Sequence, residues 1–388
     1  MNLLYKKSFL PALAVALLAA SCAGSGPEKT PEQNTAGNSQ PTTLKEAFKD
    51  DFYIGAALNA GQVMGRDEKA AELVKEQFNT ISPENVLKWG PINPRPGVYN
   101  FEPADAYVEF GEKNNMFTVG HTLVWHSQAP DWIFEGANGQ PASRDTLLQR
   151  MENHIKTIAG RYEGRIDGWD VVNEALEDDG SMRKSKWLTL AGEDFIEKAF
   201  QYARVADPEA ELYYNDYSLW KPEKRDGAVR LVKGLLDKGI KVDGIGMQGH
   251  YGIDYPTIDQ IEASIEAFAA LGVKVMVTEL DIDLLPNPTG RQGADIVHTV
   301  EAREGFNPYA EGLPDSVQQK LSKRYADIFA LFHKHRDKIS RVTFWGVADH
   351  HSWLNNWPMP GRTSYPMVFD RNYQPKPAFE AIVEAASK

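Results

Sequence analysis

The chain has 388 residues, 42% of them hydrophobic and 25% charged, a balance that permits a large buried core. Its 54 acidic and 42 basic side chains leave a net charge of −12. With no run of Lys or Arg, this excludes a phosphate-binding nucleic-acid surface and suits a neutral partner, while a lone cysteine excludes disulfides as a source of stability.

In chain order, Lys6 and Lys7 precede an apolar run over 9–20 that is too short to span a bilayer, so residues 1–21 read as an export signal. Leu17-Leu18-Ala19-Ala20-Ser21 ahead of Cys22 resembles a bacterial lipoprotein lipobox, with Ala19 where leucine is usual. The resemblance implies lipidation of Cys22 and anchoring to the cell envelope, with the outer membrane as the expected site. Ordinary signal cleavage and secretion is the alternative. Residues 22–41 are Gly, Ser, Pro, Thr, Asn, Gln and Glu without apolar periodicity and form a flexible tether. No further linker or internal repeat follows, which predicts one domain over 42–387.

Within that domain short apolar runs alternate with amphipathic stretches. Strands are predicted over 52–56, 78–82, 117–121, 168–172, 211–215, 244–247, 274–278 and 341–345, and helices over 69–76, 147–159, 195–206, 224–238, 258–269 and 316–334. Eight strands of this kind predict an α/β chain folded as a (β/α)8 TIM barrel. The rival, a doubly wound open sheet, requires a Gly-rich phosphate loop after the first strand, and Ile54-Gly55-Ala56-Ala57-Leu58 is not one. Polar groups gather at the predicted strand exits: Asn59, Glu84, Asn85, His121, Asn173, Glu174, Asn215, Asp216, Gln248, His250, Glu279, Asp281 and Trp345. In a barrel these exits share one face, where chemistry is done. The stretch 284–314, rich in Pro, Gly and Asn, is predicted to be a long loop overhanging that face.

Two carboxylates stand out. Glu174 ends Trp169-Asp170-Val171-Val172-Asn173-Glu174, and Glu279 ends Lys274-Val275-Met276-Val277-Thr278-Glu279. A charge at the end of an apolar strand is costly unless it reaches a cleft or a counter-ion. Either acid alone reads equally as a salt-bridged strand end. Paired, they supply what glycosidic hydrolysis needs: one protonated carboxyl for the leaving oxygen and one ionised carboxylate to attack.

Trp169-Asp170-Val171-Val172-Asn173-Glu174-Ala175, Thr278-Glu279-Leu280-Asp281 and Gly120-His121-Thr122-Leu123-Val124-Trp125-His126-Ser127-Gln128 resemble the signatures of glycoside hydrolase family 10 xylanases. The resemblance extends from Glu84-Asn85-Val86-Leu87-Lys88-Trp89 to Phe369-Asp370-Arg371-Asn372-Tyr373-Gln374-Pro375-Lys376-Pro377-Ala378. It implies an endo-acting, retaining hydrolase of β-1,4-xylosidic bonds, with Glu174 as general acid/base and Glu279 as nucleophile. It further implies that Asn173 binds the 2-hydroxyl of the sugar being cleaved, and that Glu84, Asn85, Lys88, His121 and Gln128 hold hydroxyls. Trp125, Trp345 and Trp353 are expected to wall the cleft. His250 is expected to bridge to Glu279 with Asp281 fixing its ring, and Gln248 to contact Glu279 as well. Trp89, Trp132 and Trp187 are assigned to the core.

The expected partner is xylan or a xylo-oligosaccharide, bound by a monomer, with no cofactor and no catalytic metal. His121, His126, His250, His350 and His351 are candidate metal ligands, but no His-x-His ends the first strand and no His-Glu-x-x-His occurs, which counts against a site. A barrel glycosidase acting on glucan or mannan, and a glycan-binding protein that has lost catalysis, are the competing functions. Gln128 and Trp345, which in the family crowd the position of a hexose C6 group, favour xylose. Both acids being present favours an enzyme.

Overall fold

The computed structural model describes residues 43–387, all within one compact unit, Gln40–Lys388. Eight parallel strands form the barrel: β1 Tyr53–Leu58, β2 Thr80–Pro83, β3 Phe117–Trp125, β4 Gly168–Asn173, β5 Glu211–Asp216, β6 Gly244–Met247, β7 Lys274–Asp283 and β8 Ile339–Phe344. Each pairs with the next, and β8 pairs with β1 through Tyr53 opposite Arg341, so the sheet closes. The strands are buried on both faces along most of their length, as expected where a barrel interior and a helical shell cover the two sides. The principal helices alternate with them: α1 Glu68–Gln77, α2 Glu102–Lys113, α3 Arg144–Arg161, α4 Phe195–Ala206, α5 Pro222–Asp237, α6 Ile258–Ala269, α7 Asp315–Lys334 and α8 Pro377–Ala385. This is a (β/α)8 barrel, the predicted fold.

Local chemistry explains the helix starts. Asp67 accepts the Ala70 N–H at the head of α1, and Thr257 with Gln260 forms a reciprocal capping box on α6. Pro222 and Pro377 open α5 and α8 at positions where a missing N–H costs nothing. The sequence reading omitted α2 and α8, whose Pro103 and Pro377 look like breakers until they are seen to lie in a first turn. Between the barrel and its helical shell Trp169 is fully buried, with Nε1 3.3 Å from Asp207 Oδ2, and an added Cβ at Gly120 would come within 2.1 Å of its ring. Gly120 is therefore the space that the indole occupies.

Most strands end within two residues of prediction, but two run four and five residues past it. β3 continues to Trp125, carrying that side chain to the barrel mouth. β7 continues to Asp283, so Glu279 lies within the strand rather than at its exit, where the register with β8 shifts between Val277 and Leu280. The extension pairs with a three-residue strand, His250–Gly252, and sets His250 opposite Asp281. Residues 284–314 hold neither helix nor strand, as anticipated.

Candidate active site

The C-terminal ends of the strands open on a cavity of about 220 Å³. Glu174 and Glu279 line it together with Glu84, Asn85, Lys88, His121, Trp125, Gln128, Asn173, Gln248, His250, Trp345 and Trp353. Ala294 and Ile296 complete the wall, and neither was given a role from sequence. Asp281 stands behind His250, and Cys22 lies outside the described residues.

Glu174 follows the last residue of β4 in a left-handed conformation, φ +57°, costly for a residue with a side chain. Its N–H donates to Asn215 O at 2.8 Å, and its carbonyl accepts from Arg183 Nε at 3.0 Å, which holds the turn. The carboxyl is buried and receives only neutral donors: Trp125 Nε1 at 2.8 Å, Gln248 Nε2 at 3.1 Å and Asn173 Nδ2 at 3.2 Å. Burial pushes its pKa up, the bonds from Gln248 and Trp125 offset part of this, and the like charge of Glu279 adds a smaller upward push. Removal from water is thus the main cause, ahead of repulsion between the two acids.

Glu279 is equally buried but differently partnered. Asn215 Nδ2 donates to Oε1 at 2.8 Å, and His250 Nε2 lies 3.2 Å from Oε2. The other ring nitrogen of His250 is 3.0 Å from Asp281 Oδ1, and Asp281 Oδ2 accepts from Trp353 Nε1 at 2.8 Å. Burial works against charge on both Glu279 and His250. For Glu279 it is outweighed by His250, His121 and Asn215, which hold the carboxyl below its usual range. For His250 it is outweighed by Asp281 and Glu279, which lift the imidazole to about 10. The ring is therefore an imidazolium at neutral pH, with an N–H for each carboxylate.

Gln248 departs from expectation: it donates to Glu174 and, at 3.2 Å, to Asn173 Oδ1, not to Glu279. Asn215 and His250 already occupy the two oxygens of Glu279. Asn215 also donates to Asn173 Oδ1 at 2.9 Å and accepts from Thr278 Oγ1 at 2.6 Å, so it fixes one acid and the neighbour of the other. The sequence reading placed Asn215 at a strand exit without assigning it this role. Asp216 beside it does not face the cavity; it pairs with the buried Lys224 at 2.9 Å and accepts the Tyr217 N–H.

On the β2–β3 side, Lys88 Nζ lies 3.1 Å from Asn85 Oδ1, 4.9 Å from the Trp125 ring and 5.9 Å from the Trp345 ring. Burial lowers the Lys88 pKa against the pull of Glu279, Glu84 and Glu174, and raises that of Glu84. Gln128 Nε2 reaches Asn85 Oδ1 at 3.4 Å, and His121 Nδ1 lies 2.9 Å from Asp170 Oδ2. Trp187, in the core with Trp89, donates to the Trp125 carbonyl at 2.9 Å and so supports the cavity wall from behind.

A second cavity of about 400 Å³ adjoins the first, lined by Glu177, Asp178, Tyr217, Lys221, Arg291, Asp295, His298 and Trp357 among others. The 284–314 segment contributes Ala294 and Ile296 to one cavity and Gly293, Asp295 and His298 to the other. Arg183 ties this segment to the acid: it binds the Glu174 carbonyl, the Tyr217 hydroxyl at 2.6 Å and Asp295 at 3.4 Å. No sequence signal marked Arg183, because Tyr217 and Asp295 are distant along the chain and its bond to Glu174 is to the backbone.

Paired acids on the fourth and seventh strands of a barrel, ringed by polar side chains and tryptophans, define a glycoside-hydrolase site. The chain belongs to glycosyl hydrolase family 10, whose sequence model matches residues 43–385. It is 44% identical to endo-1,4-beta-xylanase A of Xylanibacter ruminicola over 345 residues, which cover 89% of this chain and 93% of that one. It is 42% identical to a beta-1,4-xylanase of Dictyoglomus thermophilum over 344 residues, covering 88% and 90%. Among solved structures, a GH10 endoxylanase retrieved from a sugarcane soil metagenome superposes with a TM-score of 0.85 at 46% identity, covering 89% of this chain and all of that one.

Proposed function

We propose that this chain is an endo-1,4-β-xylanase that cleaves by double displacement, with Glu174 as general acid/base and Glu279 as nucleophile. The observation that carries the reading is the opposite treatment of two buried glutamates in one cavity. Glu174, given only neutral donors, has its pKa raised and is kept ready to hold a proton. Glu279, facing the imidazolium of His250, has its pKa lowered and is kept ionised.

In the first step Glu279 attacks the anomeric carbon as Glu174 gives its proton to the departing glycosidic oxygen, and the glycosyl–Glu279 ester forms. Glu174, now ionised, takes a proton from water, whose oxygen attacks the same carbon and releases Glu279. Two inversions give retention. Asn173, held by Asn215 and Gln248, binds the 2-hydroxyl as positive charge develops on the ring. Lys88, Asn85, Glu84, Gln128 and His121 hold hydroxyls on the glycone side, while Gln128 and Trp345 crowd the position of a hexose C6 group. Such a misfit is worth about 1–3 kcal/mol per group, enough to set preference.

The names of the relatives support xylan as the substrate. Product sizing on xylan and on carboxymethylcellulose tests the reading. Mixed xylo-oligosaccharides released early are expected, and faster cleavage of the cellulose derivative overturns the substrate assignment.

The same reading extends to export, with residues 1–21 as the signal, Cys22 as the acylated N-terminus, 22–41 as tether and 42–387 as the catalytic domain, acting as a monomer. The lipobox-like segment supports it, and the family match begins at residue 43, beyond the tether. Among the described residues no helix is long and apolar enough to cross a membrane.

A further inference from the structure

Outside the catalytic cavity, the ends of β1 and β8 bring three potential ligands together. Asp67 heads α1, while His350 and His351 form the turn Asp349–His351 that follows β8. One ligand atom from each lies within 4.8 Å of the others. His351 Nε2 is 3.0 Å from Asp67 Oδ2, and the two imidazole rings have centroids 3.9 Å apart. Tyr373 closes the group: its hydroxyl lies 2.8 Å from Asp67 Oδ2 and 3.1 Å from His350 Nε2.

The His351 side chain is only 9% exposed, and its Nδ1 has no hydrogen-bond partner. With Nε2–H given to Asp67, Nδ1 holds a buried lone pair to which no group donates, a cost that native interiors seldom leave unmet. Two neutral imidazoles and a carboxylate form the mixed nitrogen and oxygen set that suits zinc. Four-coordinate zinc with bonds of about 2.0–2.1 Å needs ligand atoms roughly 3.3 Å apart, a small contraction of the present cluster. The nearby cation Arg371 is committed to Asn355 Oδ1 and the Ser364 carbonyl.

The other such cluster among the described residues, Glu262, Glu266 and His335, is a poorer candidate. Glu262 already carries Lys334 and His335, and Lys338 lies against the ring of His335, so ammonium groups hold the place a metal would take.

We propose that Asp67, His350 and His351 form a structural site for a divalent transition metal of the zinc class, with water as the fourth ligand. It staples the segment between β1 and α1 to the turn after β8. That turn leads directly into Trp353, which donates to Asp281 behind the nucleophile, so the site braces one wall of the cleft without touching the reacting acids. The sequence reading found no metal motif because Asp67 is remote in the chain from the histidine pair.

Calorimetric titration of the metal-stripped full chain with zinc chloride tests this. One equivalent is expected to bind, and cobalt(II) in its place is expected to give the intense visible bands of a four-coordinate ion. Removal of outer-sphere groups alone commonly weakens metal sites 10–100-fold, so His350→Asn and Asp67→Asn are each expected to weaken zinc binding at least about 100-fold. Asp67→Asn keeps the cap on Ala70, and circular dichroism verifies the fold of both variants. The proposal is overturned if the wild type takes up no zinc, if the folded variants bind it as the wild type does, or if Glu262→Gln abolishes binding instead.

Discussion

His250 Nε2 stands 3.2 Å from the carboxylate of Glu279, and at neutral pH it carries a proton. Activity that needs Glu279 ionised is complete above the pKa of that group and is lost as the pH falls through it. Because the folded pKa is depressed, the midpoint of that loss lies at lower pH than for an ordinary glutamate. His250→Asn removes the charge and one donor, so the acid limb of the kcat/KM profile should move to higher pH. A charge-assisted bond of about 1.5–3 kcal/mol corresponds to a fall of roughly 10–150-fold in kcat/KM at neutral pH. An acid limb that stays in place would remove His250 from the control of Glu279.

The alkaline limb belongs to Glu174, which must hold a proton for the first step. Trp125 Nε1 donates to its carboxylate and favours the ionised form, so deleting that donor should raise the pKa further. Trp125→Phe keeps an aromatic wall and is expected to extend activity to higher pH while lowering kcat/KM. A shift to lower pH would count against the assignment of Glu174 as the acid.

The two acids should fail differently. Glu279→Ala removes the attacking group and is expected to lose at least about four orders of magnitude on every substrate. Glu174→Ala removes proton transfer alone, worth about 10²–10⁴ on xylan and much less on an aryl xyloside whose leaving group needs no proton. Added azide should then restore turnover of Glu174→Ala and yield a β-glycosyl azide by nuclear magnetic resonance. Rescue of Glu279→Ala through an α-azide, with no effect on Glu174→Ala, means the roles are exchanged.

Export is tested at Cys22. Radiolabelled palmitate should enter the wild-type chain in a bacterial host but not Cys22→Ser, and the variant should leave the envelope fraction with its specific activity intact. A wild type that takes up no label refutes lipidation and leaves plain secretion.

The sequence alone settled a good deal. Eight apolar runs alternating with amphipathic ones specify a barrel, because strands covered on both faces must be apolar throughout, and a helix must be apolar on one side. Glu174 and Glu279 were legible for a related reason: an ionisable group at the end of such a run has to meet solvent, a ligand or a counter-ion. The aromatic and hydroxyl-binding roles expected around them came from the resemblance of their motifs to family 10, and strand position alone assigns none of them.

What the sequence could not give is how the two acids are made unlike. That difference depends on Asn215 reaching Asn173 and Glu279 at once, on Gln248 turning to Glu174, and on Arg183 tying Tyr217 and Asp295 to the acid's backbone. None of these contacts has a periodicity, since each joins groups brought together only when the barrel closes. Asp67 and His351 are 3.0 Å apart for the same reason, as β1 and β8 become neighbours only in the closed sheet. Burial and hydrogen bonding, which decide whether a carboxyl keeps its proton, are properties of that closed structure and not of the chain order.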